Sequence, residues 1–344
     1  MFASNFALPD TNTVRVHRFI ALTPGPRLIV LGGVHGDETC GTGGIDRVLA
    51  ELDSGALRLQ RGQLTLIPVA NPLARQRFKR EGERNLNRQF QPTPAGATPA
   101  DYEARVTDVL CPLLAAHDVL LDLHSFQSAG DAFAMIGPRD NTDALEPFAR
   151  AFEEGQLALH LGTSRVVEGW LDIYAASISR RGQPVTEEAL AFGRGTNEFM
   201  RSQGGYGVTL ECGQHRDPAA PVVAYRAILA ALDLLGMTTA DGQPADKPAQ
   251  PAQPVVRQPE LLRLRSVTDR HDAGDKFVRD WASFDPLRAG EQIGTRHDGA
   301  PVLAEGDGVI VFPNAEALAG TEWFYFAVES DRSLTASVTA APRP

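Results

Sequence analysis

The sequence predicts an α/β architecture, a mixed and largely parallel sheet flanked by helices, with a small C-terminal all-β domain. Two observations predict the first part. Short apolar runs alternate with longer helical patterns through the first 236 residues, and each run stops at a polar or glycine-rich turn. A third observation predicts the second part: beyond a Pro/Ala/Gln-rich stretch the chain turns into short β-branched and aromatic runs separated by Gly and Asp. At 344 residues the chain exceeds what one hydrophobic core usually serves. The predicted units are therefore a large domain over 1–238, a linker over 239–259 and a small β-domain over 260–344.

The apolar runs come in order as Arg27 to Gly32 (RLIVLG), Gln63 to Ala70 (QLTLIPVA), Val119 to Leu123 (VLLDL) and Gly207 to Leu210 (GVTL). Each is too short for a helix and reads as a buried strand. Between them, helical patterns cover Tyr102 to Ala115, Thr186 to Arg201 and Ala220 to Leu235. The stretch from Thr239 to Pro259 has almost no large apolar residue, cannot bury a core and reads as an extended linker. After it, LLRLRSV, DKFVRDW, GVIVFP and WFYFAV read as strands of the small domain.

Charge narrows the partners. With 33 basic and 43 acidic residues the net charge is −10, and no basic block offers a surface to nucleic acid or to an anionic membrane. Three lysines, Lys79, Lys247 and Lys276, leave nearly all positive charge on arginine, whose planar fork suits carboxylates. Three widely spaced cysteines in no CxxC pair argue against a disulfide framework and against a thiolate zinc site. No run of 18 apolar residues and no leader pattern is found, so the expected location is cytoplasmic. Oligomeric state is left open, homo-oligomers included.

The chemistry-bearing residues cluster at the ends of the predicted strands. GGVHGDE places His35 and Glu38 three residues apart just past the first strand, in a glycine-rich turn that lets both side chains aim at one point. LDLHS places His124 at the end of another strand. A single histidine there also reads as a hydrogen-bonded core residue. In open α/β sheets, however, ligands gather at the carboxyl ends of the strands. There His35, Glu38 and His124 supply two nitrogens and a carboxylate, the set that leaves zinc a fourth position for water. Asp122 reads either as a group that orients a ligand or as an ordinary buried carboxylate. TLECG puts Glu211 at another strand end, where a carboxylate is either salt-bridged or takes a proton from an attacking water. In REGERNLNRQF, Asn87 beside Arg88 forms an amide and guanidinium pair that can grip one carboxylate.

Taken in order, GGVHGDE, NP at Asn71 and Pro72, R-x6-NR, DLHS and LECG resemble the succinylglutamate desuccinylase and aspartoacylase family of the zinc carboxypeptidase clan. The EWFYFA segment is similar to the C-terminal part of its bacterial members. The resemblance implies one zinc per chain on His35, Glu38 and His124, with Glu211 as catalytic carboxylate. It places the carbonyl-polarising arginine on Arg80 and the substrate-carboxylate pair on Asn87 and Arg88. Arg201, ten residues before Glu211, falls at the spacing of a further substrate arginine, although a helix-end arginine also answers the helix dipole. Tyr325 is placed either over the site, as in aspartoacylase, or in a strand core. Where family members carry DLNR this chain has Asn85, so an acidic partner for the neighbouring arginines is replaced by an amide. The implied activity is hydrolysis of a small N-acyl amino acid. A carboxypeptidase acting on peptide C-termini and a non-catalytic zinc-binding protein are the alternatives.

Overall fold

The computed structural model describes residues 10–142, 145–180, 184–238 and 258–334. The linker expected over 239–259 lies outside these residues except for its last two positions. The elements begin with β1 (His17–Ile20), β2 (Arg27–Leu31), α1 (Cys40–Ser54), β3 (Gln63–Ile67), α2 (Pro72–Arg77) and α3 (Tyr102–Ala115). Next come β4 (Val119–Phe126), β5 (Phe133–Met135), α4 (Ala151–His160), β6 (Arg165–Glu168), α5 (Trp170–Arg180), α6 (Glu187–Ala191) and α7 (Thr196–Ser202). They are followed by β7 (Tyr206–Gln214), α8 (Ala220–Leu234), β8 (Glu260–Asp269), β9 (Lys276–Phe277) and β10 (Pro286–Leu287). The last are β11 (Gln292–Thr295), β12 (Pro301–Leu303), β13 (Gly308–Val311) and β14 (Glu322–Glu329).

Eleven strands form one mixed sheet in the order β1-β3-β2-β4-β7-β5-β6-β8-β14-β13-β10, and β12-β11-β9 form a second, antiparallel one. The centre is parallel, with β2 beside β3 and β4, and β4 beside β7. Parallel strands need cover on both faces, and the alternation of side chains supplies it. Leu28 and Val30 of β2 pack with Ile45 and Val48 of α1 and Ile228 of α8. Ile29 and Leu31 of the same strand pack on the opposite face with Val106, Leu110 and Leu114 of α3. All eight residues of β4 are buried, so this strand runs through the middle of the molecule. Local chemistry starts the helices: Asn71 accepts a hydrogen bond from the Ala74 amide and Asp101 accepts one from the Ala104 amide.

Two expectations are corrected. The pattern over Thr186 to Arg201 is not one helix but α6 and α7, interrupted at Gly193-Arg194-Gly195, where two glycines remove the gain from continuing the helix. In DKFVRDW only Lys276 and Phe277 join a strand. The C-terminal all-β part carries the antiparallel sheet β12-β11-β9 and is joined to the main sheet where β8 pairs in parallel with β6, Arg165 opposite Glu260 through Glu168 opposite Arg263. β14 then pairs with β8, and β13 with β14.

The turn between β8 and β9 is organised by Asp275, which is buried. It accepts from the His271 amide at 2.8 Å, the His297 amide at 2.9 Å and the Arg296 guanidinium at 2.7 Å. Burial alone would raise this carboxyl, yet these hydrogen bonds hold it well below the usual range. A depressed carboxyl contributes stability that is fully present above its unfolded value and is lost as pH falls through that value toward its folded one. Asp275→Ala leaves Arg296 without its counter-charge and should cost about 3 kcal/mol in urea unfolding at neutral pH. The difference from wild type should shrink as the pH falls below about 4; a gap that stays constant would remove Asp275 from the acid response.

Candidate active site

His35, Glu38, His124 and Glu211 converge at the carboxyl ends of β2, β4 and β7. His35 and Glu38 lie on the turn between β2 and α1, which passes so close to α2 that a Cβ on Gly36 would stand 2.0 Å from the Ala74 carbonyl carbon. No other residue fits there. On β4 the alternation sends Asp122 and His124 to the face of Leu120, and the parallel register sets His124 opposite Glu211.

One potential ligand atom from each of His35, Glu38 and His124 lies within 4.8 Å of the others, and all three residues are buried. Glu38 Oε2 accepts from His124 Nδ1 and from the Ser125 amide, each at 3.0 Å, while Oε1 takes the Arg80 guanidinium at 3.3 Å. His35 Nδ1 lies 3.1 Å from the Arg80 carbonyl. A carbonyl only accepts, so this nitrogen carries the proton and Nε2 keeps its lone pair. Burial and the nearby Arg80 press His35 well below its ordinary range, toward the neutral imidazole that binds metal. Burial also disfavours charge on His124, but Asp122 and Glu38 on either side carry it well above its usual value. Burial would likewise raise Glu38, and the two histidines hold it well below the carboxylate range.

The cluster therefore draws positive charge. Among the described residues His124 Nε2 has no hydrogen-bond partner, lying 3.0 Å from Asp122 Oδ2, and Asp122 Oδ1 and Glu211 Oε2 are also buried without partners. Two imidazoles, a carboxylate and unsatisfied buried acceptors fit a divalent cation of the zinc type. Burial pushes the Glu211 carboxyl up to about 8, against the pull of His124. A group poised there can both take and return a proton near neutral pH.

The arginine-rich loop is shaped by a residue that sequence reasoning passed over. Glu103, fully buried on α3, accepts from Asn71 Nδ2 at 2.9 Å, the Gly82 amide at 3.0 Å and the Glu83 and Arg84 amides at 3.1 Å. Nothing in the spacing of Glu103 sets it apart from an ordinary first-turn carboxylate. The loop it folds holds Arg80 half-exposed beside Glu38 and places Asn87 with Arg88 nearby. Asn85 Oδ1 closes a local turn onto the Asn87 amide at 2.9 Å, and Arg84 is held by Asp101 at 2.8 Å. The asparagine therefore serves the turn, and other acids position the arginines. Asn87 Oδ1 accepts from the Thr196 amide at 2.9 Å, and the Thr196 hydroxyl donates to Asp122. The break between α6 and α7 supplies this Thr196, so it links Asn87 to the cluster.

Arg88 is buried and donates to the Asn87 carbonyl at 2.9 Å and to Glu322 of β14 at 3.3 Å. Its guanidinium lies 5.2 Å from the Trp170 ring and 5.4 Å from the Tyr174 ring, and the Tyr174 hydroxyl donates to Glu322 at 2.7 Å. Tyr325 is buried, with its ring 5.6 Å from Trp170. It packs in the strand core with Leu264 of β8 and Val311 of β13. Glu322 was not singled out in sequence, because a pairing across 234 residues leaves no local trace.

Arg201 is not brought to the cluster. Its guanidinium reaches Glu146 at 2.7 Å, Glu154 at 2.9 Å and Glu198 at 3.3 Å, and also the Gly207 carbonyl. The family-like spacing is kept, but three acids, of which Glu154 is fully buried, claim the side chain. Arg201→Met strands those carboxylates and should lose about 3–5 kcal/mol in urea unfolding. A variant of native stability with a raised KM would return Arg201 to the substrate.

The chain matches the family model described as the succinylglutamate desuccinylase/aspartoacylase catalytic domain over residues 24–222. It is 29% identical over 300 residues to the N-acyl-aromatic-L-amino acid amidohydrolase (carboxylate-forming) of Rattus norvegicus, covering 83% of each chain. Among solved structures, a succinylglutamate desuccinylase/aspartoacylase from Rhodobacter sphaeroides superposes with a TM-score of 0.66 at 19% identity, covering 93% of this chain and 90% of that one. The product-bound ectoine utilization protein EutE (DoeB) of Ruegeria pomeroyi gives 0.65 at 17% identity, covering 91% and 88%. At these identities the two structures speak to the fold alone. The family match covers more than half of the chain and spans every residue of the cluster, and the protein belongs to the succinylglutamate desuccinylase/aspartoacylase family.

Proposed function

We propose that this protein hydrolyses the amide bond of a small N-acyl amino acid in a zinc-dependent reaction, releasing a carboxylic acid and the free amino acid. One observation carries the proposal: a buried donor set of two imidazoles and a carboxylate stands beside Glu211, whose Oε2 is buried without a partner. His35, Glu38 and His124 would hold one zinc per chain. Zinc in such a set supplies Lewis-acid polarisation of a carbonyl and acidifies water.

The side chains divide the remaining work. Glu211 takes a proton from the attacking water and returns it to the leaving amine, a two-way role suited to a carboxyl that burial raises to about 8. Arg80, half-exposed and anchored only through Glu38, turns its guanidinium to the carbonyl oxygen as negative charge develops there. Asn87 Nδ2 and Arg88 bind the free carboxylate of the substrate. Arg88 does so while one of its amino groups stays on Glu322, and that contact fixes the guanidinium. The rings of Trp170, Tyr174 and Tyr325 beside Arg88 favour a neutral, aromatic side chain on the substrate, in keeping with the name of the rat relative. Glu322, brought from β14, occupies one side of Arg88, which favours a single N-acyl amino acid over a long peptide. Glu211 and Arg80 are needed for turnover and not for holding metal, so their presence favours an enzyme over a passive zinc binder. Among the described residues no helix is long and apolar enough to cross a membrane.

Glu211→Gln should retain zinc by metal analysis and lose about 10²- to 10⁴-fold in kcat on N-acyl amino acids, since the amide keeps the shape and removes the proton acceptor. Turnover within a few-fold of wild type would take Glu211 out of the reaction. The carboxylate clamp has its own test. Wild type should prefer N-acyl amino acids to their carboxamides by about one to two decades in kcat/KM, the worth of a charge-assisted contact. Arg88→Ala should close that gap by damaging the acids alone. Equal rates on acid and amide in wild type would discard the clamp, and efficient trimming of long peptides would replace the deacylase reading with a carboxypeptidase.

A further inference from the structure

β4 and β7 change register beside the cluster. His124 stands opposite Glu211, and the next registered pair is Phe126 with Gln214. Ser125 alone on β4 therefore faces Cys212 and Gly213 on β7, which is a β-bulge. Gly213 adopts φ +116°, a value that side chains rarely tolerate, and this lets β7 carry the extra residue. The ladder resumes where the His215 amide donates to the Phe126 carbonyl at 2.9 Å.

The bulge frees the Ser125 amide from strand pairing. That amide donates to Glu38 Oε2 at 3.0 Å. The Ser125 side chain turns the other way, and its Oγ shares a hydrogen bond of 2.8 Å with His215 Nδ1. Ser125 is buried and His215 half-buried. A single residue thus carries two contacts, one to the carboxylate of the cluster and one to an imidazole that hydrogen-bonds none of the three clustered residues. Among the described residues Glu38 Oε2 has two hydrogen-bond donors, His124 Nδ1 and this amide. If the bulge loosens, this amide is lost and Oε2 is left to His124 alone, so the carboxylate is less tightly oriented.

We infer that His215 is a positioning residue: by holding the Ser125 hydroxyl it fixes the bulge whose amide orients Glu38 toward His35 and His124, and so it sets the affinity of the cluster for metal. Partners behind the ligands of a metal site commonly govern affinity in this way. The pair links β4 to β7 where regular backbone pairing is interrupted, so it replaces the missing ladder bond at that point. The inference rests on the metal reading of the cluster.

The test is zinc binding, measured by competition with a chelator of known affinity, on the full chain and five variants. His215→Ala should weaken zinc about 10- to 100-fold, with thermal unfolding measured in excess chelator unchanged. Ser125→Ala should match it, and the double variant should lose no more than either single one. His215→Asn places an amide where Nδ1 stood and should recover most of the affinity, whereas His215→Gln reaches only the position of Nε2 and should not. A general structural role would not separate Asn from Gln. Zinc affinity within two-fold of wild type in both His215→Ala and Ser125→Ala overturns the inference. So do losses that multiply in the double variant, and so does rescue by Gln rather than Asn. Wild type that binds no zinc overturns the metal reading itself, an outcome distinct from all of these.

Discussion

A carboxylate 2% exposed, placed at the end of a fully buried strand layer, is the constraint around which this molecule is arranged. An isolated charge in such a place is prohibitively costly and persists only when it is surrounded by donors or cations. Glu38 has all of its neighbours supplied from separate parts of the chain: His124 and the Ser125 amide from β4, and Arg80 from the loop after α2. Each supplier needs support of its own. The loop is folded around the Glu103 carboxylate, and the Glu38 carbonyl is held from behind by Arg75 at 3.1 Å. The parallel sheet matters because it brings three strand ends together at one rim, where β2, β4 and β7 are spaced by backbone hydrogen bonds.

What was legible in the sequence is what local chemistry determines. The spacing of His35 and Glu38 among glycines, and the positions of His124 and Glu211 at the ends of apolar runs, each announce a strand end, and the α/β rhythm says that strand ends meet. Helices with strong periodicity and good caps, such as α3, were also legible to the residue. The limits are equally physical. Helical periodicity over Thr186 to Arg201 does not register how two glycines permit a break, or that a break is useful once Asn87 needs the Thr196 amide. The spacing of Arg201 from Glu211 is compatible with a substrate arginine. Its fate was decided by Glu146 and Glu154, acids whose proximity arises only in three dimensions. Glu103 and Glu322 carry no motif, because a carboxylate that gathers backbone amides or pairs with a distant arginine is defined by its partners and not by its sequence neighbours.

The arginines show how the protein controls a small set of strong cations. Arg84, Arg88 and Arg201 are each assigned a carboxylate, by Asp101, Glu322 and the Glu146, Glu154 and Glu198 group respectively. Arg80 is the least enclosed of these four, and its single carboxylate contact belongs to the cluster itself. Exposure therefore sets Arg80 apart from the three arginines that acids elsewhere in the chain hold in place. An arginine fixed by a well-matched acid costs little entropy to keep in place, whereas one left to sweep through water would pay that cost on each binding event.

The parallel pairing of β6 with β8 gives the chain a long-range closure problem. β6 ends at Glu168, whereas the strand that carries Glu322 and Tyr325 is reached only through β8, more than 90 residues later. Such pairings raise contact order, because the entropy of closing a long loop must be met before the new strand contacts reward it. Until β8 docks, β6 presents its unpaired backbone and the apolar Val166 and Val167 as an open edge, the kind of surface that recruits other chains. The same step that covers this edge is the step that delivers Glu322 to Arg88. A molecule caught before it would therefore present this open edge and leave Arg88 without Glu322 at once, so that covering the edge and pairing the buried arginine are achieved by one docking event.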